Sequence, residues 1–201
     1  MRRAIVFDFG GVLMKTVDYT PRHTWDRRLG LVRGSVERIV HNATSWAAVQ
    51  TGQISLADYW ADVADQLNIS VQMVRQLAVD FYSGDRLDRA LIRYIQQWRG
   101  DGHAVAMLSN NSIDLSLTLR KEGIIDLFDP LVISAEIGVL KPAAEAYAVV
   151  AERLQRPAEE LIFIDDAPAN IAGANAAGLH GVHYIAGMDL PGALADLLTV
   201  K

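Results

Sequence analysis

The chain has 201 residues, 51% of them hydrophobic and 21% charged, with 15 Gly, 6 Pro, no Cys and a net charge of −5. This size and apolar content suit one globular core with a modest insertion, and they exclude a disordered chain or a coiled coil. The missing cysteines remove disulfides, thiolate metal sites and a cysteine nucleophile together.

In chain order, Ala4-Ile5-Val6-Phe7 is an unbroken apolar run of the kind buried on both faces of a parallel sheet, and Gly10-Gly11 breaks it. The run ends at Asp8, too early for a secretory signal. Residues 1–40 carry eight Lys/Arg against four Asp/Glu. They are scattered rather than gathered into the dense basic face of a nucleic-acid binder, so Arg22, Arg27, Arg28, Arg33 and Arg38 are expected on solvated helix faces. From Thr16 to Ser83 the periodicity is helical throughout. Ser55-x-x-Asp58 forms a capping box ahead of Tyr59, Val63 and Leu67, and Ser70 caps a run carrying Val74, Leu77 and Phe81. An ordinary crossover needs only ~10–12 residues, so this stretch reads as an all-helical insertion after the first strand. The aromatic residues Trp46, Tyr59, Trp60, Phe81 and Tyr82 are expected in its core.

Four further apolar runs follow: Ala104–Leu108, Leu131–Ile133, Leu161–Ile164 and Val182–Ile185. Between them lie predicted helices: Asp85 capping a helix to Trp98, Ile113–Glu122 closed by Gly123, Pro142 opening a helix through Leu154, and Asn170–Ala177. This alternation predicts an α/β fold, a doubly wound, Rossmann-like parallel sheet with the helical cap inserted after strand one. The expected division is a core of residues 1–15 plus 84–201 and a cap of residues 16–83. In such sheets, ligands bind beyond the carboxyl ends of the strands.

Polar residues fall at four of those ends. Asp8 follows the first strand, and Ser109-Asn110-Asn111 follows the second. Lys141 precedes Pro142, where its ammonium is expected near a helix N-terminus, a natural anion site. Asp165-Asp166 closes the run Leu161–Ile164. Two adjacent carboxylates there are costly unless a cation or hydrogen bonds satisfy them. Taken singly, each has an ordinary structural reading, such as a turn cap, a helix N-cap or a surface lysine.

In this order the four features resemble the motifs of the haloacid dehalogenase superfamily of hydrolases. The likeness is to its subgroup with a small helical cap after strand one, which includes phosphatases akin to the N-terminal domain of epoxide hydrolases and to glucose-1-phosphatases. It spans about Arg3 to Ile185. It implies a Mg²⁺-dependent phosphatase for a small organic phosphate, with Asp8 as the nucleophile that forms an aspartyl-phosphate. It further implies that Asp8, the carbonyl of Gly10 and Asp166 hold Mg²⁺, with Asp165 joining them or orienting a metal-bound water. Ser109, the backbone N–H of Asn110 and Lys141 would bind the phosphoryl group. Two positions depart from the family's pattern. Gly10 stands where family phosphatases commonly place an acid/base Asp, whose loss typically removes ~10²–10⁴ in rate. Asn170 replaces a further Asp and is able to orient Asp165 or Lys141.

Two other functions remain open at this point. A non-catalytic, phosphate-binding or regulatory relative would explain Gly10. A 2-haloacid dehalogenase needs no metal, and paired carboxylates near Asp8 would repel its carboxylate substrate. The expected setting is a cytoplasmic monomer or homodimer whose partner is a small-molecule phosphate, with neither nucleic acid nor membrane involved. His103, His180 and His183, which flank predicted strands, are expected to be structural.

Overall fold

The computed structural model describes residues 2–42 and 44–198. In chain order the elements are β1 (Ala4–Phe7), β2 (Met14–Thr16), α1 (Thr20–Arg28), α2 (Ser35–Asn42), α3 (Thr44–Gln50), α4 (Leu56–Leu67), α5 (Val71–Tyr82) and β3 (Asp85–Leu87). There follow α6 (Arg89–Gly100), β4 (Val105–Ser109), α7 (Leu115–Lys121), β5 (Leu131–Ile133), α8 (Ser134–Ile137), α9 (Ala144–Leu154), β6 (Leu161–Asp165), α10 (Pro168–Ala176), β7 (His180–His183) and α11 (Leu190–Leu194).

Five strands form one parallel sheet in the order β5-β4-β1-β6-β7. The central strand β1 is buried along its whole length, as its continuous apolar run predicts. Its side chains alternate between two cores. Ile5 and Phe7 join Val105, Met107, Ile162 and Ile164 under α6 and α7, with Ile92, Ile95 and Leu119. Ala4 and Val6 join Ala106, Leu108, Leu161 and Phe163 under α9 and α10, with Tyr147, Val150 and Ala174. This is the doubly wound α/β sheet expected from the sequence. Among the described residues, no helix is long and apolar enough to cross a membrane.

The five helices α1–α5 lie between β2 and β3 and share a third core of Trp25, Val36, Val40, Val49, Tyr59, Val63, Val74, Leu77 and Phe81. The local signals within it act as the sequence predicts: Ser55 and Asp58 make a reciprocal capping box, and Ser70 accepts from the Met73 N–H. Tyr59 and Phe81 are fully buried and Trp46 and Trp60 pack against them, whereas Tyr82 is exposed.

Several expectations are corrected. Asp85 does not cap a helix; it ends a two-stranded antiparallel ribbon in which Met14, Lys15 and Thr16 face Leu87, Arg86 and Asp85. Asp88 is the N-cap of α6, its Oδ1 accepting from the Leu91 N–H at 2.9 Å. Pro142 does not open α9, which begins at Ala144 with Ala143 as its N-cap. The backbone N–H and C=O of Lys141 are both taken by the Asn110 side chain, and the Lys141–Pro142 bond is cis. The last strand runs His180–His183 rather than Val182–Ile185. Arg22 is not on a solvated face but buried against Phe81 and bonded to Glu37, Asp85 and Thr16, because the pairing of β2 with β3 sets Thr16 beside Asp85 and α2 supplies Glu37.

Candidate active site

Three adjacent strands bring their carboxyl ends to one place. Asp8 follows β1, whose neighbours are β4, ending at Ser109, and β6, ending at Asp165. Strands in a sheet lie about 4.8 Å apart, so Ser109 and Asp165 flank Asp8 by pairing alone. The loop after α8 brings Lys141 across. Its ammonium lies 2.8 Å from Asp8 Oδ1 and 2.6 Å from Asp165 Oδ2, and 5.1 Å from the centre of the Phe163 ring. Lys141 thus meets two carboxylates, one of which, Asp165, also accepts from the N-cap N–H of α10.

All three charges are buried: Asp165 is 0% exposed, Lys141 4% and Asp8 8%. Burial pushes the Asp8 carboxyl up to about 6, against the pull of the Lys141 ammonium and with the Asp165 charge adding to the rise. Asp166 is also raised, by partial burial and then by the Asp165 charge.

Asp165 is fully engaged. Its Oδ1 accepts from the Ala167 N–H at 2.8 Å and from Asn170 Nδ2 at 3.1 Å, while Oδ2 takes Lys141 Nζ and Asn170 Nδ2 at 2.9 Å. The neutral Asn170 therefore holds the carboxylate that holds Lys141. Asn110 does the same from the other side. Its amide accepts from the Lys141 N–H at 2.8 Å and donates to the Lys141 carbonyl at 2.9 Å. Ser109 is buried at the carboxyl end of β4.

The donor set suits a hard divalent cation. Asp8, Asp165 and Asp166 each offer an oxygen, all within 4.8 Å of one another. Since Asp165 is occupied by Lys141 and Asn170, Asp8 and Asp166 are the carboxylates left for an ion. Gly11 makes the room: at φ +76° its missing Cβ would lie 2.0 Å from Asp166 Oδ2. Any side chain there would evict the carboxylate. At Gly10 a Cβ would meet nothing within 4 Å, so the place of the absent acid/base is open space.

The structure brings Asp8, Ser109, Asn110, Lys141, Asp165, Asp166 and Asn170 together, as the strand-end pattern predicts. It also adds residues that no local motif marks. His183, expected to be purely structural, bonds through Nε2 to the Asp166 carbonyl at 3.0 Å, and the pairing of β6 with β7 is what places it there. His103 bonds to the Arg3 carbonyl, far from the site, as a structural histidine would. Gln50 from α3 donates through Nε2 to the Asn110 carbonyl at 2.8 Å. A cleft of about 720 Å³ lies between the α3–α4 turn and residues 112–114, and its lining includes none of these charged groups.

Comparison with known proteins gives a consistent result. The family model for haloacid dehalogenase-like hydrolase matches residues 2–178. The chain is 27% identical over 182 residues to a sesquiterpene phosphatase of Aspergillus oryzae, covering 90% of this chain and 89% of that protein. It is 28% identical over 190 residues to a phosphatase of Mycobacterium tuberculosis, with coverage of 88% and 84%. A HAD family enzyme from Bacteroides thetaiotaomicron, solved in complex with magnesium and inorganic phosphate, superposes with a TM-score of 0.80. That pair is 20% identical, over 96% of this chain and 99% of the other.

Proposed function

From the premise that the chain belongs to the haloacid dehalogenase-like hydrolases, we propose that it is a Mg²⁺-dependent phosphatase acting on a small organic phosphate monoester through Asp8. The observation that carries this reading is the division of labour among three clustered carboxylates. Asp165 is bonded to capacity, which leaves Asp8 and Asp166 within reach of one ion and, among the described residues, with no salt-bridge partner other than the Lys141 at Asp8. The two phosphatases similar over most of the chain support the same chemistry.

Asp8, Asp166 and the Gly10 carbonyl would hold Mg²⁺, which when bound neutralises charge so that a carboxylate and a phosphate can approach. The free Asp8 oxygen attacks phosphorus, forming an acyl-phosphate bond as the ester oxygen departs. Water then attacks the same phosphorus, breaking the bond to Asp8 and releasing inorganic phosphate. Lys141 keeps Asp8 ionised and offers its charge to the phosphoryl oxygens. Ser109 has a hydroxyl to donate to them, and Asn110 an N–H beside it. Asp165 and Asn170 keep the ammonium in place. Residues 16–83 act as a cap over this edge and carry the choice of substrate, and the core comprises residues 1–15 and 84–201.

The open space at Gly10 favours a second reading, a phosphate-binding protein with weak or no turnover. Hydrolysis of p-nitrophenyl phosphate with and without Mg²⁺, beside Asp8→Asn, separates the two. The phosphatase reading predicts Mg²⁺-dependent release that falls to background in the variant. Tight binding of inorganic phosphate and Mg²⁺ without release would establish the second reading instead.

A further inference from the structure

Gln50 ends α3 within the helical insertion, yet it is buried against the sheet edge. Among the described residues it is the one residue of α1–α5 hydrogen-bonded to the strand-end loops of the core. Its contacts form a closed circuit around the Asn110–Asn111 peptide. Gln50 Nε2 donates to the Asn110 carbonyl at 2.8 Å, and the Asn111 N–H of the same peptide donates to Ser134 Oγ at 2.9 Å. Ser134 Oγ in turn donates to the backbone carbonyl of Gln50 at 2.6 Å. Both polar groups of one peptide plane are therefore held, and the Gln50 side chain closes the ring. Alongside, Gly52 lies so close to the core that a Cβ would stand 2.4 Å from the Ala135 carbonyl.

The gripped peptide is next to the chemistry. Asn110 carries the amide that clamps the backbone of Lys141, and Lys141 carries the ammonium between Asp8 and Asp165. An unbroken series of bonds thus runs from Gln50 through Asn110 and Lys141 to Asp8. Pinning the Asn110–Asn111 peptide restrains the residue whose own N–H, in the adjoining Ser109–Asn110 peptide, is proposed to meet the phosphoryl group, and a donor aimed beforehand costs no reorganisation when an oxyanion arrives.

We infer that Gln50 is a positioning residue for the phosphoryl-binding loop, coupling the seating of the helical cap to the orientation of Asn110 and Lys141. The coupling rests on the phosphatase reading of the site and goes beyond it by assigning a cap residue to that site. Coupling of this kind is reciprocal: if cap seating favours phosphate, bound phosphate favours cap seating.

The test uses Gln50→Glu, which keeps the shape but sets an acceptor against the Asn110 carbonyl. Inorganic phosphate binding in the presence of Mg²⁺, followed by calorimetry at pH 7.5, is expected to weaken by about tenfold, the scale of one buried hydrogen bond turned unfavourable. The gap to the parent protein is expected to close as pH falls and the introduced carboxyl gains a proton to donate. Gln50→Leu is expected to show the loss without that recovery, whereas a purely structural role would lower the stability of both variants and leave the phosphate affinity of the folded protein unchanged. A second measurement needs no variant: phosphate is expected to slow amide hydrogen exchange at Val49, Gln50 and Thr51 of the parent protein. Phosphate affinity within twofold of the parent in Gln50→Glu, or no protection of those amides, overturns the inference. Phosphate binding intact in a parent protein that releases no p-nitrophenol would sink the phosphatase reading and leave the role of Gln50 standing.

Discussion

Lys141 and Arg22 are both buried cations facing two carboxylates, one at the edge of the parallel sheet and the other where the helical insertion joins it. Arg22 is nearly saturated. Its Nε reaches the Phe81 carbonyl at 3.0 Å, one terminal nitrogen reaches Glu37 at 2.8 Å, and the other Thr16 at 2.8 Å and Asp85 at 3.1 Å. The plane lies 4.0 Å from the Phe81 ring centre. Only a guanidinium presents that fork, and four of its five N–H groups are taken. Around Lys141 the balance is uneven. Asp165 is fully bonded, but Asp8 is pushed up to about 6 by burial, and Asp166 beside it is raised too. A completed buried network holds a shape, whereas an incomplete one at a strand end is ready to receive charge.

Removing each cation should separate the two roles. Lys141→Met leaves Asp165 buried without its charge partner, which typically costs about 3–5 kcal/mol. Mg²⁺-dependent hydrolysis is expected to fall at least ~10³-fold per folded molecule, since both ground-state ordering and charge stabilisation are lost. Denaturation and single-turnover assays check the pair of effects, and residual activity near the parent level would erase the distinction drawn above. Arg22→Met is expected to be milder, about 1–3 kcal/mol, because Glu37 and Asp85 keep some access to water. Its kcat is expected to stay within about threefold of the parent. A larger loss in kcat than in stability would place Arg22 in the chemistry.

The smallest effect concerns pH. In metal-free protein the folded state holds the Asp8 proton up to about pH 6, while an unfolded Asp releases it near 3.9. Between those values the folded state binds more protons, so this group makes stability fall as pH rises. Asp8→Asn is expected to flatten that slope and, without Mg²⁺, to be more stable than the parent at pH 7 by roughly 1–2 kcal/mol. Urea midpoints at pH 4.5 and 7 measure it. Equal slopes in the two proteins would mean that Lys141 satisfies Asp8 after all.

What could be read from the sequence followed from how local each signal is. β1, β4 and β6 were legible because strands buried on both faces must be continuously apolar, and Asp8, Ser109 and Asp165 were legible because such strands end together. The β2–β3 ribbon was not, since three-residue strands such as Met14-Lys15-Thr16 and Asp85-Arg86-Leu87 carry no run or clear alternation. Asp85 and Asp88 fit a helix cap equally well, and only the Leu91 N–H decides for Asp88. Arg22 sits on a helix among other arginines, and its partners Phe81 and Asp85 are about sixty residues away. Gln50 had no motif at all. Its role depends on Asn110, which only the tertiary fold brings near.

The ribbon has one more consequence. Thr16 opposite Asp85 means that the chain leaves the core and returns to it about one strand spacing away. To the sheet, everything between is topologically a hairpin loop, and the pairing of Ile5 with Val105 and Ile162 is indifferent to its length. The helical segment is thus a cassette. A segment exchanged at this seam would keep the sheet pairing but must again supply a donor to Asn110 and a close approach to Ala135, so its length is free while its docking point is not.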